Sequence, residues 1–557
     1  MNGEQVIPAD FSFKDGTAFS ANFDDYYFSR HGGKQETQHV FIKGNSLPQA
    51  WQGRDTFCIG ETGFGTGLNF FETLKVWEET TDTGQLEFIS AEKHPLTKDQ
   101  MQQFWQDTDI SALLAQYPPL VAGFHRLFFP KHRATLTLIF GDATEAFKQI
   151  NAQVNCWLLD GFTPAKNEEL WTADLFGEIK RLSAAGATFA TFTAASSVRT
   201  GLTDIGFTVE KQQGFKFKRD MLTGHLPGKS TAKPAPKTVT VVGGGIAGCA
   251  TARALAEKGI QVDLYEKNAC LAAGVSSNPA AVVYPRLTAK PSVEGEFYAQ
   301  SYLQALRILT PYSAFQQTGV FQQAHSDDKA KRQAGIIENL GLTDDIIHQQ
   351  DGGILFPQGG WVNLADLCQQ LVDHPSITIH LNTPAPGTKG VQVICTNYDG
   401  LALQPVAGQI LSVKVKDPTT LPKTVVTYDG YCIPNGNRVL LGSTYHRDQT
   451  TVPNEQDATE QILEKTKTYL PDVYDNLDLA DIQSWQGARG ATAQRFPIFG
   501  QSPENADVYY NTGHGSHAAT SALYCAALIS GQILGHSLPA APYALSQKVL
   551  SYLSPKE

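Results

Sequence analysis

The sequence predicts an α/β protein with two largely parallel sheets, the second interrupted by a mainly antiparallel β domain. Three observations predict this fold. The chain has 557 residues, more than a single core usually accommodates. Short apolar runs alternate with helical stretches through the first half, which is typical of parallel sheets. A second strand–turn–helix–strand unit starts at Thr238 and is followed by β-rich stretches at 391–415 and 424–443.

The domain boundary is predicted where the composition changes. The run Gly228-Lys-Ser-Thr-Ala-Lys-Pro-Ala-Pro-Lys237 has small residues, two prolines and three lysines, without apolar periodicity. Such a run is typical of a linker. We therefore predict a first domain at 1–228, a linker at 229–237 and a second domain at 238–557.

The composition excludes several classes of protein. We expect no signal peptide, because the first residues contain neither a basic nor an apolar region, and no apolar run reaches the roughly 18 residues of a membrane span. The eight Cys are scattered without metal-ligand spacing, so we expect reduced thiols and no metal site. A net charge of −11 disfavours a generic nucleic-acid-binding protein, although a local basic patch can still meet phosphates, so we expect no DNA partner. We expect a cytoplasmic monomer without a membrane partner.

The first candidate site is a glycine-rich loop between a strand and a helix. Strands are predicted at 56–59, 86–90, 135–140, 156–159 and 187–192. The loop Gly60-Glu-Thr-Gly-Phe-Gly-Thr-Gly67 follows the first of them. Its glycines Gly63, Gly65 and Gly67 allow close approach of a ligand, so the loop predicts a nucleotide cofactor. A plain turn between strand and helix is the alternative.

Acidic residues end four of these strands in order, namely Glu61, Glu92, Asp142 and Asp160. Carboxylates at this edge can accept hydrogen bonds from ribose hydroxyls or an adenine amino group. Any one of them could instead cap a helix or form a turn. Four in succession favour a Rossmann-like cofactor site.

The second candidate site is the pattern Gly243-x-Gly245-x-x-Gly248 between the strand 238–242 and an Ala-rich helix. The helix N-terminus is suited to a pyrophosphate. Glu266 ends the next strand and is suited to a ribose 2′-hydroxyl. NAD and FAD share this fingerprint, so it predicts a second Rossmann-type domain that binds one of these two cofactors.

The first half resembles a known family. The glycine loop, the strand ending at Glu92, Gly141-Asp-Ala143 and the run DGFTPAKNEELW at 160–171 resemble the methyltransferase domain of the bifunctional tRNA 5-methylaminomethyl-2-thiouridine biosynthesis proteins. The resemblance implies S-adenosylmethionine as methyl donor and a primary amine on a tRNA wobble uridine as acceptor. Asp160 is then the catalytic residue that orients the amine and assists its deprotonation. Its alternative role is to hydrogen-bond the following turn.

The second half resembles the D-amino-acid oxidase and glycine oxidase superfamily in Ser276–Arg286 and Asn511–His517. The resemblance implies FAD, with Gly513 and Gly515 in a flavin-binding loop. Together with the first half, it implies oxidative removal of a carboxymethyl group from the wobble uridine, followed by methylation of the amine.

Arg489 is the best candidate to clamp the substrate carboxylate, and a surface or interdomain salt bridge is its alternative role. The family pattern has an Arg-Asp pair after this arginine, where this sequence has Ala493-Gln-Arg-Phe-Pro497. His514 and His517 are weaker candidates, because a flavin loop needs backbone donors more than imidazoles.

Three basic groups could meet tRNA, and each could equally be a solvated face. They are Lys211, Lys216, Lys218 and Arg219; His125, Arg126, Lys131, His132 and Arg133; and Lys229, Lys233 and Lys237. Two other hypotheses stay open. One is a fused enzyme acting on a free secondary amine or N-alkyl glycine, and the other is a non-enzymatic flavoprotein scaffold.

Overall fold

A computed structural model describes residues 5–30, 32–105, 110–229, 234–387, 390–397 and 401–552. The chain divides into two compact units, the first comprising residues 4–235 with 531–541, and the second mainly 236–530 with 542–557. Residues 230–233 of the predicted linker lie outside the described residues. The sequence did not predict that the late segment 531–541 belongs to the first unit.

The first unit is built on an eight-stranded sheet. Its central strands run parallel, and antiparallel strands complete both edges. In spatial order the strands are Thr208–Gln213, Asp220–His225, Ser183–Thr191, Val154–Leu158, Thr56–Glu61, Gln85–Glu92, Ala134–Phe140 and Gly123–Phe129. A small antiparallel sheet precedes it, formed by Phe11–Lys14, Thr17–Ser20 and Asp25–Tyr26.

The helices of the first unit lie before and between the strands of this sheet. They are Gly33–Thr37, the π-helix Gln38–Lys43, Leu68–Thr80, Lys98–Phe104, Ser111–Gln116, Ala143–Lys148, Ala173–Leu182 and Ser196–Asp204, with 3-10 turns at Gln49–Trp51, Pro130–His132 and Glu168–Trp171. Capping residues in the sequence determine where several of these helices begin. Thr97 and Gln100 form a reciprocal capping box, and Thr172 caps the helix that begins at Ala173.

Aromatic side chains fill the core of the first unit. Trp51 and Trp77 are fully buried and meet edge to face at a ring-centroid distance of 5.2 Å. Phe70 meets Phe88 in the same way at 5.4 Å, which packs the helix Leu68–Thr80 onto the sheet. This packing fixes the glycine loop between the first strand and that helix.

The segment 531–541 completes a buried polar network in the first unit. Its strand Leu538–Pro539 pairs with Ile150–Asn151. Ser537 donates its N–H and its hydroxyl to the carboxylate of Glu87, both at 2.6 Å. Arg126, only 2% exposed, lies 3.5 Å from the same carboxylate and donates to the Ser537 carbonyl at 3.0 Å. Arg126 is therefore not available to phosphates, contrary to its inclusion among the candidate tRNA contacts.

The second unit contains a six-stranded sheet that is parallel except at one edge. Its strands in spatial order are Ile377–His380, Gln261–Tyr265, Thr238–Val242, Gln392–Ile394, Val508–Thr512 and Ile498–Gln501. The helices of this unit are Ile246–Ala256, Val293–Leu309, Asp327–Asn339, Leu364–Val372, Glu455–Tyr469, Pro471–Asp475, Ala518–Ile533 and Ala540–Ser551, with 3-10 turns at Val275–Ser277, Pro418–Thr420 and Gly515–His517.

A nine-stranded, mainly antiparallel sheet is inserted in this unit. Its strands are His348–Gln350, Gly353–Phe356, Val320–Gln323, Val425–Thr427, Tyr431–Asn435, Arg438–Gly442, Gln404–Val415, His446–Arg447 and Leu477–Ala491. A three-stranded sheet accompanies it, formed by Ala281–Val283, Gly360–Val362 and Phe315–Gln316. The predicted fold class, two largely parallel sheets with an antiparallel insertion, is confirmed. Among the described helices, none has the length and apolarity to cross a membrane.

Candidate cofactor-binding and catalytic sites

The first unit contains a cavity of about 320 Å³ at the carboxyl ends of its parallel strands. Open α/β sheets bind ligands at this edge, and the volume lies at the lower end of the usual range for ligand pockets. The sequence-predicted residues that line it are Gly63, Gly65, Glu92, Asp142 and Asp160. Gly67 starts the adjacent helix with a φ of +73°, a backbone conformation that suits glycine.

Glu92 ties the end of the second strand to the glycine loop. Its Oε2 accepts the N–H of Gly65 at 2.7 Å, and its Oε1 accepts the N–H of His94 at 2.8 Å. Burial raises the pKa of the Glu92 carboxyl to about 7, although these backbone hydrogen bonds lower it. A carboxylate held in this way has lone pairs left for ribose hydroxyls.

Asp142 has the capping role that the sequence allowed. Its Oδ1 accepts the N–H groups of Thr144 and Glu145 at 3.0 and 3.2 Å, which caps the helix that begins at Ala143. The residue also lines the cavity, so the cap leaves it next to a bound ligand. An adenine contact for Asp142 stays a prediction.

Asp160 and Glu61 are joined by one asparagine side chain. Asn69 donates its Nδ2 hydrogens to Asp160 Oδ2 at 2.7 Å and to Glu61 Oε1 at 2.9 Å. Its own Oδ1 accepts the hydroxyl of Thr37 at 2.8 Å, so the amide orientation is fixed. Asn69 was not predicted from the sequence, although a polar residue beside the glycine loop on an apolar helix face was a usable signal.

The two carboxyl groups differ in exposure and in pKa. Asp160 lines the cavity, and burial raises its pKa to about 6 against hydrogen bonds from Gly161 and Asn69. Glu61 is 1% exposed and does not line the cavity, and burial raises its pKa to about 8. Ser90 Oγ donates to Glu61 Oε2 at 2.6 Å, so both of its oxygens already accept hydrogen bonds. Glu61 therefore lies behind Asn69, and its direct cofactor contact stays a prediction.

The N-terminal segment supplies an aromatic wall to the cavity. Phe23 stacks on Phe162 at a ring-centroid distance of 4.6 Å, and Tyr27 meets Phe162 edge to face at 5.2 Å. Asp25 Oδ2 accepts the N–H and the hydroxyl of Thr163 at 3.1 and 2.7 Å, which holds the loop after Asp160 against this segment. Sequence reasoning missed these residues, because nothing in residues 20–30 predicts that the segment reaches the edge of a sheet formed later in the chain.

The second unit contains the predicted glycine fingerprint in register. An ideal Cβ on Gly248 would lie 1.7 Å from the carbonyl oxygen of Gly243, so only glycine permits this helix–strand approach. Gly245 precedes the helix Ile246–Ala256. Glu266 Oε2 accepts the N–H of Gly244 at 2.7 Å, as Glu92 does with Gly65 in the first unit.

The residues around this fingerprint fit a dinucleotide. Thr396 lies against Gly243, where an ideal Cβ would meet its Cγ2 at 3.1 Å. Within the described residues, the buried Oγ1 of Thr396 has no hydrogen-bond partner. A buried hydroxyl of this kind at the glycine loop can donate to a bound cofactor. We therefore find the second site compatible with the predicted FAD.

The predicted flavin loop is a tight turn before a helix. Gly513 and Gly515 have φ values of +73° and +55°, and the helix Ala518–Ile533 follows. His514 between them is buried, and its Nε2 donates to Asn511 Oδ1 at 3.0 Å. Burial lowers the pKa of His514 to about 3, so the imidazole is neutral and positions the turn.

Arg489 lies beside this turn. Its Nη1 lies 3.4 Å from Ser516 Oγ, and its guanidinium lies over the ring of Tyr445 at 4.8 Å. In the described part of the chain it forms no ion pair. Burial, together with the charges of Arg286 and Arg489, lowers the pKa of His517 to about 4, so this imidazole is neutral. Among the residues that the structure describes, the salt-bridge alternative for Arg489 finds no acidic partner.

Comparison with known proteins assigns each unit to a family. Residues 106–227 match the model of the S-adenosyl-L-methionine-dependent methyltransferases, and residues 238–532 match that of the FAD dependent oxidoreductases. S-adenosylmethionine and FAD are accordingly the two cofactors, as predicted. The glycine oxidase of Geobacillus kaustophilus is similar in structure, with 20% identity, a TM-score of 0.43, and coverage of 53% of this chain and 94% of that chain. That similarity is too limited to support an argument.

Full-length relatives match both units at once. The tRNA 5-methylaminomethyl-2-thiouridine biosynthesis bifunctional protein MnmC of Chromobacterium violaceum is 37% identical over 78% of this chain and 76% of its own length. The protein of the same name from Marinomonas sp. is 31% identical over 97% of this chain and 96% of its own. The chain therefore belongs to the family of bifunctional tRNA 5-methylaminomethyl-2-thiouridine biosynthesis proteins.

Proposed function

We propose that this protein carries out two successive reactions on a tRNA wobble uridine. The first is FAD-dependent removal of the carboxymethyl group from 5-carboxymethylaminomethyl(-2-thio)uridine, which leaves 5-aminomethyl(-2-thio)uridine. The second is S-adenosylmethionine-dependent methylation of that amine to 5-methylaminomethyl(-2-thio)uridine. The observation that carries the proposal is that one chain contains two separate sites, one with the Arg489 guanidinium, which forms no ion pair with the described residues, and one with the Asp160 carboxylate. The guanidinium suits the carboxylate of the group that is removed, and the Asp160 carboxylate suits the amine that remains on the base.

In the oxidative reaction, Arg489 binds the substrate carboxylate through two parallel hydrogen bonds. Bound FAD supplies a two-electron acceptor for the C–N bond. Water then hydrolyses the oxidised carbon–nitrogen bond of the substrate and releases a two-carbon oxo acid with the primary amine on the base. The charges of Arg286 and Arg489, which both act on His517, favour an anionic group bound nearby. Gly243, Gly245, Gly248 and Glu266, with Gly513 and Gly515, would hold the cofactor.

In the methylation, Asp160 binds the alkylammonium and accepts a proton, which frees the nitrogen lone pair for attack. Bound S-adenosylmethionine supplies the electrophilic methyl group. Asn69 keeps the Asp160 carboxylate oriented towards the cavity. The aromatic wall of Phe23, Tyr27 and Phe162 limits access of water to the reacting groups.

We further propose the domain assignment made from the sequence. The sequence assigns residues 1–228 to the methyltransferase domain, 229–237 to the linker and 238–557 to the oxidoreductase domain, and we transfer the segment 531–541 from the oxidoreductase domain to the methyltransferase domain. A cytoplasmic location and a monomeric state also remain predictions, and tRNA rather than DNA is the proposed partner.

Stepwise product analysis tests the proposal. The purified protein is incubated with tRNA that carries the carboxymethylaminomethyl wobble base, first without and then with S-adenosylmethionine. Mass spectrometry of the digested nucleosides should show the primary amine first and its methylated form after the addition. A flavin-bound protein that leaves this tRNA unchanged but oxidises N-alkyl glycines would instead support the alternative of a free small-molecule amine.

A further inference from the structure

We propose that the hairpin tip 215–219 of the first unit binds the anticodon RNA, with Phe217 stacked on a nucleobase next to the modified uridine. This inference deepens the proposed function and rests on it. The sequence offered three basic groups equally as contacts for tRNA, and this inference selects the group at the hairpin tip.

The tip is a well-defined turn between two paired strands. Strands Thr208–Gln213 and Asp220–His225 are antiparallel, and the Gly214 N–H donates to the Arg219 carbonyl at 3.0 Å. The Lys218 N–H donates to the Phe215 carbonyl at the same distance and closes the turn. His39 Nε2 donates to the Gln213 carbonyl at 2.9 Å, which anchors the base of the hairpin.

The two phenylalanines of the tip have opposite environments. Phe215 packs against the core of the first unit and contacts the ring of His39 at 6.0 Å. Phe217, two residues further, is 82% exposed, the largest fraction among the exposed large hydrophobic residues described. Folding gains little from an aromatic side chain in that position. Aromatic rings exposed among cations are instead typical of surfaces that stack on single-stranded bases.

The charge and the backbone of the tip agree with this role. Lys216 has a φ of +47°, a left-handed conformation that glycine or asparagine adopts at lower cost. A lysine kept there at some conformational cost is consistent with a function of its charge. Lys216 and Arg219 flank Phe217 in sequence, where they can meet the phosphates on either side of a stacked base.

The tip lies at the cavity that contains Asp160. Lys218 lines this cavity, donates to Glu36 Oε1 at 3.0 Å, and lies over the ring of Phe192 at 4.3 Å. Phe217 is the adjacent residue, on the side exposed to solvent. A uridine inserted in the cavity therefore has its neighbouring nucleotides beside Phe217. The group around His125 lacks this arrangement, because Arg126 is buried.

Methylation kinetics with tRNA carrying 5-aminomethyluridine test the inference. We expect Phe217→Ala to raise KM for this tRNA by about tenfold or more, since stacking on one base contributes that much. The kcat at saturating tRNA and the affinity for S-adenosylmethionine should stay unchanged. Phe217→Trp should keep KM near the wild-type value, because indole also stacks. Lys216→Ala should lower the slope of log KM against log salt by about 0.7.

Tyr552→Ala is the matched control, because Tyr552 is an exposed aromatic residue, at 56%, in the other unit. An unchanged KM in Phe217→Ala, or an equal loss in Phe217→Ala and Phe217→Trp, would overturn the inference and leave the proposed function intact. A wild-type protein that does not methylate this tRNA would instead refute the proposed function itself. The two failures are therefore distinguishable.

Discussion

Asn69 donates one hydrogen of its amide to Asp160 at 2.7 Å and another to the buried Glu61 at 2.9 Å, while Thr37 fixes its oxygen. The amide thus orients the carboxylate that faces the cavity and lowers its pKa against the effect of burial. It links a residue that can touch substrate to one that cannot. This arrangement makes Asn69 a positioning residue for Asp160.

Asn69→Ala should reduce methylation through the loss of this orientation. We expect kcat to fall by about 10- to 100-fold, since a misplaced carboxylate loses much of its contribution to proton transfer. The acidic limb of the pH–rate profile should also move upwards by about one pH unit, because a hydrogen bond that favours the charged form is removed. Oxidation by the other unit serves as the internal control. A lower rate with an unmoved acidic limb would indicate a purely structural role.

The wild-type pH–rate profile tests the role of Asp160 itself. Burial raises the pKa of Asp160 to about 6, and the base form exists above that value. Methylation should therefore decline as pH falls through about 6, and it should be nearly constant between about 7 and 8. Asp160→Asn should lower the methylation rate by at least about 100-fold, and the remaining rate should no longer decline at low pH. Full activity of the wild type at pH 5 would contradict a base role for this carboxylate.

Arg489 should matter to oxidation alone. Arg489→Met removes the only charge proposed to bind the substrate carboxylate, so KM for the carboxymethylaminomethyl tRNA should rise by about 100-fold or more. Arg489→Lys keeps the charge but loses the paired hydrogen bonds, and it should be intermediate. The flavin spectrum and methylation of aminomethyl tRNA are the controls. An unaffected KM in Arg489→Met would assign the clamp to another residue, with Arg286 the next candidate.

The segment 531–541 should contribute to the stability of the first unit. Ser537→Ala removes the hydroxyl that donates to the fully buried Glu87 at 2.6 Å, beside the buried Arg126. We expect a loss of about 1–3 kcal/mol, seen as a melting transition lowered by a few degrees in differential scanning calorimetry. Ser551→Ala is the matched control, because that exposed hydroxyl bonds only a nearby carbonyl in its own helix. Equal melting of the two variants would refute this contribution.

The sequence predicted the features that local patterns encode. The glycines at 65, 243 and 248 have backbone requirements that their spacing reveals, and Glu92 and Glu266 end strands that apolar runs identify. Glu61 differs from these residues. Its position in the glycine loop suggested a cofactor contact, but in the fold both of its carboxylate oxygens are buried and accept hydrogen bonds from Ser90 and Asn69. Whether a residue beside a loop faces the cavity or the core depends on the helix that packs behind it. This packing cannot be predicted from a local sequence pattern.

Contacts between distant segments were beyond the sequence analysis. Tyr27 and Phe162 meet across more than a hundred residues, and Ser537 reaches Glu87 across 450. Such contacts depend on tertiary packing, which has no short-range signature. Arg126 illustrates the same limit, because its basic neighbours suggested a surface patch, whereas its buried ion pair is formed with Glu87, two strands away in the sheet.

The central claim is that two separate sites act in succession on one wobble base. Asp160→Asn and Arg489→Met variants are each incubated with carboxymethylaminomethyl tRNA, FAD and S-adenosylmethionine, alone and mixed, and the nucleosides are identified by mass spectrometry. The account predicts that Asp160→Asn stops at the aminomethyl base, that Arg489→Met leaves the substrate unchanged, and that the mixture forms the methylaminomethyl base. Methylated product from Asp160→Asn alone, or no product from the mixture, would contradict it.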